Sequence, residues 1–354
     1  YFCTPDDLEK IKNVSNLGYE CGPGGIEEYE TTLLKGICNT RTLVLAWAVG
    51  GRTNVSFPEN TGFRFPQSDQ ETIIFTSIHY DNSRLIKNHK DNSGFRFKFT
   101  RNLKKYDLGV MGMSVPTNPL DITIPPNTDS IKMTSICYSE CTQNSFPDDG
   151  VTVYAGNFHT HLAGRALRAY LMRDGKLVKY LFDDQHYDFN YQSNILIQPT
   201  KLMKGDSLIL ECVYSTKNKN KFTFGGYGTQ DEMCGLFIYY YPKIEFLGCA
   251  STIPDKEMAN FYNKLIKDSI IPPLDIKLDS TNIRNNTKIL VDHLRTKVKS
   301  SKELSDRYKN YYLNPINNTG LCLTKSRKID VSFFEKEFKR PTETLNEKNY
   351  CDRV

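Results

Sequence analysis

Several common features are missing from this sequence of 354 residues, and each absence excludes a class of protein. No apolar run approaches the roughly 18 residues that a membrane-spanning helix needs, so no such helix is predicted and no membrane anchor is visible. Charges of both signs are interspersed, and the net charge is only +5. This pattern is typical of a solvated surface, and we predict no nucleic-acid partner.

Two further absences concern the start of the chain and its cysteines. The first residues contain no initiator Met and neither the basic nor the apolar segment of a signal peptide. No paired Cys-x-x-Cys motif occurs, which disfavours a structural zinc cluster. Ten cysteines are instead scattered along the chain, and this even number predicts a disulfide framework in an oxidising compartment. A secreted protein needs a leader, so we interpret the chain as a fragment or a processed piece.

Four Asn-x-Ser/Thr sequons agree with an oxidising compartment, although such triplets also arise by chance. They lie at Asn13, Asn54, Asn285 and Asn317. Disulfides and sequons together predict a protein of the secretory pathway, located in a secretory vesicle lumen or outside the cell.

The chain is long enough for two domains, and its 39% of hydrophobic residues can build packed cores. Apolar or alternating runs predict strands over residues 42–49, 71–80 and 95–101, and short strands with regular turns continue over 131–247. Such strands indicate β-sandwiches or jelly rolls. After Cys249 the apolar residues recur at helical spacing, which predicts a partly helical C-terminal extension.

Two of the six histidines, His159 and His161, are predicted to lie on one strand. Side chains at positions i and i+2 point to the same face of a strand, so both imidazoles can bind one metal ion. The alternative is two unrelated surface histidines. His79 ends an apolar strand, where a structural core histidine is the more common interpretation. The remaining histidines fall in polar loops or on a predicted helix: His89, His186 and His293.

A glycine-rich stretch over residues 225–234 is the second informative feature. Three glycines in four positions indicate that the backbone closely approaches another group, and Met233 follows them. A methionine in this position is often only a packing residue. A thioether added to two imidazoles, however, makes a soft and neutral ligand set that favours Cu(I).

The motifs at residues 159–165 and 229–234 together resemble the copper type II, ascorbate-dependent monooxygenases. Within that family they are similar to the branch of dopamine and tyramine β-monooxygenases and DBH-like monooxygenases. Further matching segments occur in order along the chain: Leu45–Gly51, Ile78–Tyr80, Ile124–Pro126, Cys137–Cys141 and Phe237–Pro242. The resemblance extends from the first residue to about residue 250.

The resemblance implies two jelly-roll-like β-sandwich domains, each with one copper. The oxygen-activating copper is held by the positions of His159, His161 and Met233. The electron-donor copper is held by the position of His79 and by a His-His pair that the family carries just before the position of Cys3. That pair is expected upstream of Tyr1, so the first domain is interpreted as incomplete. The implied division is 1–107 for the N-terminal copper domain, 108–255 for the C-terminal copper domain, and 256–354 for the extension.

The resemblance also implies a disulfide pattern. The pairs are Cys3–Cys38, Cys137–Cys249, Cys141–Cys322 and Cys212–Cys234. Cys21 and Cys351 match cysteines whose partners lie upstream of residue 1, which again leads us to expect an N-terminally truncated fragment.

The implied reaction is hydroxylation of the benzylic carbon of a phenylethylamine such as dopamine or tyramine, as in catecholamine or octopamine biosynthesis. It uses ascorbate as reductant, O2 as co-substrate and two coppers per complete enzyme. A small-molecule amine is thus the expected partner, and a homo-oligomer is compatible with the sequence. Gly112 stands where amine-hydroxylating relatives carry an acidic residue, which weakens recognition of the substrate ammonium there.

Two alternatives stay open. A glycine-extended peptide substrate is disfavoured by the extra cysteines, the long extension and Phe237, where peptide-hydroxylating relatives carry a tyrosine. The other alternative is a copper-binding protein without activity. Because the sequence holds one of three electron-donor ligands, we expect this polypeptide to bind one copper firmly and to hydroxylate little.

Overall fold

The structure is a computed structural model, and it describes residues 2–5, 38–65, 73–74, 84–314, 317–325 and 329–337, together with residues 76, 78, 80 and 82. The chain divides into two compact units. The first contains Tyr1–Leu45 and Phe57–Gly109, and the second contains Ala46–Ser56 and Val110–Val354. Strands are the main regular structure in the described residues, which confirms the all-β prediction.

The first unit contains two small sheets. Their strands are β1 (Phe2–Pro5), β2 (Cys38–Thr42), β3 (Thr61–Gly62), β4 (Ile73–Ile74) and β5 (Tyr106–Asp107). One sheet has the antiparallel order β2-β1-β4, and β3 pairs in parallel with β5. His79 lies outside the described residues, so its predicted role as an electron-donor ligand stays a prediction.

Two of the predicted strands are wrong. Residues 43–48 form no strand, and the Ala46 N–H there donates to the Tyr239 hydroxyl at 3.4 Å instead of to a neighbouring strand. Residues 95–101 also form no strand. Phe95, Phe97 and Phe99 alternate as predicted, but their rings contact one another, with centroids 6.2 and 6.1 Å apart, and no described strand pairs with them.

The second unit contains the two main sheets and a pair of short strands. Its strands before the extension are β6 (Gly109–Val115), β7 (Thr123–Ile124), β8 (Ile131–Cys137), β9 (Val151–His159), β10 (Gly164–Arg173), β11 (Lys176–Asp184), β12 (Ile195–Leu202), β13 (Ser207–Tyr214), β14 (Thr223–Phe224), β15 (Cys234–Tyr241) and β16 (Phe246–Thr252). A short helix, α1 (Ser139–Ser145), follows β8. One sheet has the order β11-β10-β13-β8, the other begins β12-β9-β15-β6-β16, and β7 pairs with β14.

A large hydrophobic core lies between the two main sheets. Leu208, Leu210 and Cys212 on β13 face this core at every second position, as do Leu236 and Ile238 on β15. Such alternation is expected for strands that bury one face against a second sheet. Each fully buried leucine or isoleucine contributes about 1.5–3 kcal/mol, so this core holds the two sheets together.

The hairpin between β10 and β11 is confirmed at the position that the sequence indicates. Asp174 and Gly175 connect the strands with φ values of +50° and +74°. A two-residue turn with positive φ at both positions matches the twist of the flanking strands, and Asp-Gly is a preferred sequence for it. The same strand β10 pairs with β13 on its other side.

The C-terminal extension adds helices and strands to the second unit. Its elements are α2 (Asp255–Lys267), α3 (Thr287–Lys297), α4 (Lys302–Leu313), β17 (Asn317–Lys325) and β18 (Ile329–Glu337). The helices confirm the predicted helical spacing, and their apolar faces join the same hydrophobic core as the sheets. Strand β17 pairs with β16 and with β18, so the larger sheet reaches seven strands.

Three disulfides cross the second unit. They join Cys137 to Cys249, Cys141 to Cys322, and Cys212 to Cys234, which are the pairings that the resemblance implies. The side chains of the other implied pair, Cys3–Cys38, lie outside the described part, as do Cys21 and Cys351. Within the described residues, no helix combines the length and the apolar character that crossing a membrane requires.

Candidate metal centre

His159 and His161 lie together at the end of β9, with their ring centroids 5.1 Å apart and the rings nearly perpendicular. The prediction that both residues lie on the strand is only half right, because β9 ends at His159, where it pairs with Gly235 of β15. Beyond that point the backbone binds side chains instead of a strand. The Thr160 N–H donates to the Tyr187 hydroxyl at 3.1 Å, and the same hydroxyl donates to the Thr160 carbonyl at 2.8 Å.

The His159 ring is held by the side chain of Gln192. His159 Nδ1 lies 2.7 Å from Gln192 Oε1, and Gln192 Nε2 donates to the Phe189 carbonyl at 2.8 Å. The second contact fixes the orientation of the amide, so its oxygen faces the imidazole. Gln192 is itself anchored, because its N–H donates to the Val49 carbonyl at 2.9 Å and only 3% of its surface is exposed.

The His161 ring is held by a backbone carbonyl. His161 Nδ1 lies 3.0 Å from the backbone carbonyl oxygen of Asp231, and His161 is buried with 5% exposure. Both Nδ1 atoms therefore face oxygen acceptors, and each must carry the ring proton of the neutral imidazole. The lone pair of each neutral ring is then on Nε2, which is the arrangement found in metal-binding histidines.

Met233 is the last residue of a loop, Gly225–Met233, that joins β14 to β15; we call it the methionine loop. Gly235 pairs with His159 across the two strands, and Met233 lies two residues before Gly235 in the chain. Its carbonyl accepts a hydrogen bond from the Tyr214 hydroxyl at 2.6 Å, and its side chain is half-buried. Among the described residues, no group of three or more His, Cys, Asp and Glu could hold a metal ion.

Glu232 connects the methionine loop to the histidine turn. One carboxylate oxygen accepts the Ala163 N–H at 2.5 Å, and the other accepts the N–H groups of His161 at 2.8 Å and Met233 at 3.3 Å. The residue is completely buried. Burial raises the pKa of Glu232 to about 7, although the three N–H groups and the nearby Lys219 lower it. Glu232 thus fixes the segments of His161 and Met233 relative to each other.

Two glycines of the methionine loop make room for Asp231. A Cβ atom on Gly226 would lie 2.6 Å from an Asp231 carboxylate oxygen, and one on Gly228 would lie 3.1 Å from it. The close approach predicted from the glycine-rich stretch is therefore to a side chain of the loop itself at these two positions, whereas a Cβ atom on Gly225 would lie 2.4 Å from the Asn118 carbonyl oxygen. Burial raises the pKa of this carboxyl, and the positive charge of Arg295 opposes the shift. This packing helps to place the Asp231 carbonyl that holds His161.

The other described histidines lie in loops or on a helix, as the sequence predicts. His89 is exposed in a loop, and His186 is exposed with its N–H bound to an Asp184 carboxylate oxygen at 3.1 Å. His293 lies on α3, where its Nε2 is 3.1 Å from the Pro272 carbonyl. These positions agree with the structural or surface roles that the sequence suggests for them.

Sequence reasoning missed two residues of this site. Glu232 lies in the motif at residues 229–234, but no sequence pattern indicated a role for its carboxylate. Gln192 is 33 positions from His159 in a polar stretch, and no spacing rule marks it. A glutamate directly beside a candidate ligand is a usable sequence signal for a residue that holds the site, because its carboxylate, once buried, needs hydrogen-bond donors from neighbouring groups.

We expect the Gln192→Leu substitution to lower the affinity for the predicted metal about 10- to 100-fold, because the acceptor that orients the His159 ring is lost. Isothermal titration with Cu(I) under a competing chelator measures this change. The matched control is Gln198→Leu, at an exposed position of β12. Equal affinity in both variants would contradict the role given to Gln192.

Three of the four sequons lie in the described part of the chain. Asn54 and Asn285 are exposed in loops, whereas Asn317 is half-buried in β17 with its N–H bound to Glu257 at 2.7 Å. Asn13 lies outside the described residues. Asn54 and Asn285 are therefore the accessible candidates for glycosylation among the described sequons.

Comparison with known proteins gives a match over this part of the chain. The family model "Copper type II ascorbate-dependent monooxygenase, C-terminal domain" matches residues 106–262. Dopamine beta-hydroxylase of Canis lupus familiaris is 33% identical over 231 residues, which are 65% of this chain and 37% of the relative. Tyramine beta-hydroxylase of Caenorhabditis briggsae is 34% identical over 223 residues, 63% of this chain and 38% of the relative.

DBH-like monooxygenase protein 1 of Homo sapiens is 34% identical over 247 residues, which cover 69% of this chain and 39% of the relative. The chain therefore spans less than two fifths of the length of these three curated relatives. The matched residues 106–262 include the histidine pair, Gln192 and the whole methionine loop.

Proposed function

Because residues 106–262 match the family model of the C-terminal domain of copper type II ascorbate-dependent monooxygenases, we propose that His159, His161 and Met233 hold the oxygen-activating copper of such an enzyme. The observation that carries the proposal is the pair of imidazoles whose Nδ1 atoms face oxygen acceptors at 2.7 and 3.0 Å, next to the methionine loop. The proposed reaction is hydroxylation of the benzylic carbon of a phenylethylamine such as dopamine or tyramine, with O2 as co-substrate and ascorbate as reductant.

The donor set fits copper better than other common metals. The thioether is a soft ligand that suits Cu(I), and neutral imidazoles also bind copper, whereas magnesium and calcium prefer oxygen ligands. When bound, the copper would supply the redox chemistry that activates O2. The residues of the chain would hold that ion: Gln192 and the Asp231 carbonyl keep each imidazole in one tautomer, and Glu232 fixes the two ligand-bearing segments.

The residues beside His159 support an aromatic substrate without a carboxylate. Asn157 lies two residues before His159 on the same face of β9, is 5% exposed, and pairs in register with Phe237 of β15. An amide and an aromatic ring offer hydrogen bonding and ring contacts but no positive charge for a carboxylate. This chemistry favours an arylalkylamine over a peptide that ends in a carboxylate.

The proposed substrate is tested by giving the full-length protein that contains this chain tyramine, dopamine and a glycine-extended peptide in parallel, with copper, ascorbate and O2. We expect β-hydroxylated amine as the main product and little turnover of the peptide. Preferential turnover of the peptide would contradict the proposed substrate class while leaving the copper site intact.

The proposed metal site is tested on the polypeptide itself. We expect one tight equivalent of copper in the 354-residue chain, with sulfur scattering from the Cu(I) form in X-ray absorption. His161→Ala is the matched negative variant, and His186→Ala, at an exposed position, is the control. Two tight equivalents, or no sulfur scattering, would contradict the assignment.

A further inference from the structure

The two ends of the methionine loop are supported differently. Its C-terminal end continues into β15, which lies inside the seven-stranded sheet, and Cys234 at the start of this strand is bonded to Cys212. Its N-terminal end continues from β14, which has two residues and pairs among the described strands only with β7, also of two residues. So short a ladder supplies few hydrogen bonds, and the N-terminal end needs other contacts to be rigid.

Helices of the extension supply those contacts. The Thr123 N–H of β7 donates to the Tyr312 hydroxyl of α4 at 2.8 Å, inside the core. The Tyr308 ring of the same helix lies 6.2 Å from the ring of Phe222, which precedes β14. From α3, the guanidinium of Arg295 lies 5.0 Å above the ring of Phe224, a distance at which a cation and an aromatic face attract each other.

A continuous set of contacts then leads from β14 to the candidate metal ligands. The Glu232 N–H donates to the Phe224 carbonyl at 2.8 Å, and the Gly225 N–H donates to the Ile122 carbonyl at 2.7 Å. Glu232 in turn binds the N–H groups of His161 and Met233. A displacement of β14 would therefore move both Glu232 and the residues that it holds.

From these contacts we propose that helices α3 and α4 of the extension position the methionine loop, and that Tyr312 and Arg295 are positioning residues for the metal site. This inference rests on the proposed function where it concerns copper, but its structural part concerns the chain alone. The extension would thereby affect copper binding, because the position of Met233 determines how well its thioether can bind Cu(I).

The structural part is tested by hydrogen exchange on the copper-free chain, with Tyr312→Phe compared against Tyr308→Phe. Both residues are buried in α4, and each substitution removes one hydroxyl, but only the Tyr312 hydroxyl binds the backbone of β7. We expect the amides of residues 225–234 to exchange about fivefold faster in Tyr312→Phe, because the Thr123 N–H loses its acceptor. Unchanged exchange, or equal acceleration in both variants, would overturn the proposal.

A second variant avoids the buried core. Arg295 is exposed, so Arg295→Ala should fold normally, and we expect faster exchange in the methionine loop, restored by Arg295→Lys, which keeps a cation. The control is Arg307→Ala, whose guanidinium pairs with Asp268 at 2.9 Å on the surface. Acceleration by Arg307→Ala equal to that by Arg295→Ala would show a general loosening and would contradict the proposal.

The copper part is tested by X-ray absorption of the Cu(I)-loaded chain. We expect weaker sulfur scattering in Tyr312→Phe and Arg295→Ala than in the wild type and the two controls. If the wild type shows no sulfur scattering, the proposed metal site fails while the exchange result still decides the positioning role. If sulfur scattering is strong and equal in all variants, the positioning role fails while the metal site stands.

Discussion

Replacing Met233 by leucine is expected to abolish sulfur scattering from bound Cu(I) and to lower hydroxylation by the complete enzyme at least about 100-fold. Loss of a residue that merely orients a metal ligand already costs about 10- to 100-fold in metal affinity or activity, and loss of the ligand itself should cost more. Leucine has a similar volume and fits a half-buried position, so the fold should be kept. The effect would then come from the missing thioether, which stabilises Cu(I) relative to Cu(II).

The control for this variant is Met203→Leu. Met203 is also half-buried, and it lies in the turn between β12 and β13, far along the chain from the metal ligands. We expect this variant to keep both copper spectra and activity. Retention of sulfur scattering in Met233→Leu would show that another sulfur binds the metal, and it would remove Met233 from the proposed ligand set.

The second large effect is expected for Glu232→Gln. The two carboxylate oxygens accept three N–H groups, and in glutamine one of these oxygens becomes an NH2 group that faces donors. At least one buried N–H then loses its acceptor, so the free energy of unfolding should fall by about 1–3 kcal/mol. Copper affinity should fall as well, because the segments of His161 and Met233 are no longer fixed to each other.

Chemical denaturation and copper titration measure the two consequences separately. The matched control is Glu211→Gln, because Glu211 is also buried in the second unit. Its carboxylate accepts hydrogen bonds from side chains: from the Tyr170 hydroxyl and, at 3.1 Å, from Lys132 Nζ. We expect Glu211→Gln to lower stability without changing copper affinity. If Glu232→Gln binds copper as tightly as the wild type, Glu232 is a purely structural residue.

The sequence by itself was sufficient to predict features that depend on residues close together in the chain. The Asp174-Gly175 hairpin follows from the positive φ values that its turn needs, and the helices of the extension follow from apolar residues at helical spacing. The nearness of His159 and His161 follows from their separation by one residue. The disulfides of Cys137, Cys141 and Cys212 came from the resemblance to a family, since spacing alone leaves many pairings open.

Local patterns failed where a strand needs a partner. Phe95, Phe97 and Phe99 alternate as a half-buried strand does, but no described strand pairs with them, and their rings contact one another. Residues 43–48 are apolar enough for a buried strand, yet they form none, and the Ala46 N–H among them donates to a tyrosine hydroxyl. Periodicity reports which side of a segment is apolar, and it carries no information on whether a neighbouring backbone is available.

Only the tertiary structure showed how the metal centre is held. Gln192 contacts a histidine 33 residues away, and Glu232 binds backbone groups about 70 residues away. The extension, which by its sequence carried no recognisable chemistry, reaches β7 and β14 through Tyr312 and Arg295. These are contacts of side chains with distant backbone and rings, which no local pattern encodes. The sequence thus identified the candidate ligands, and the fold determined which residues orient them.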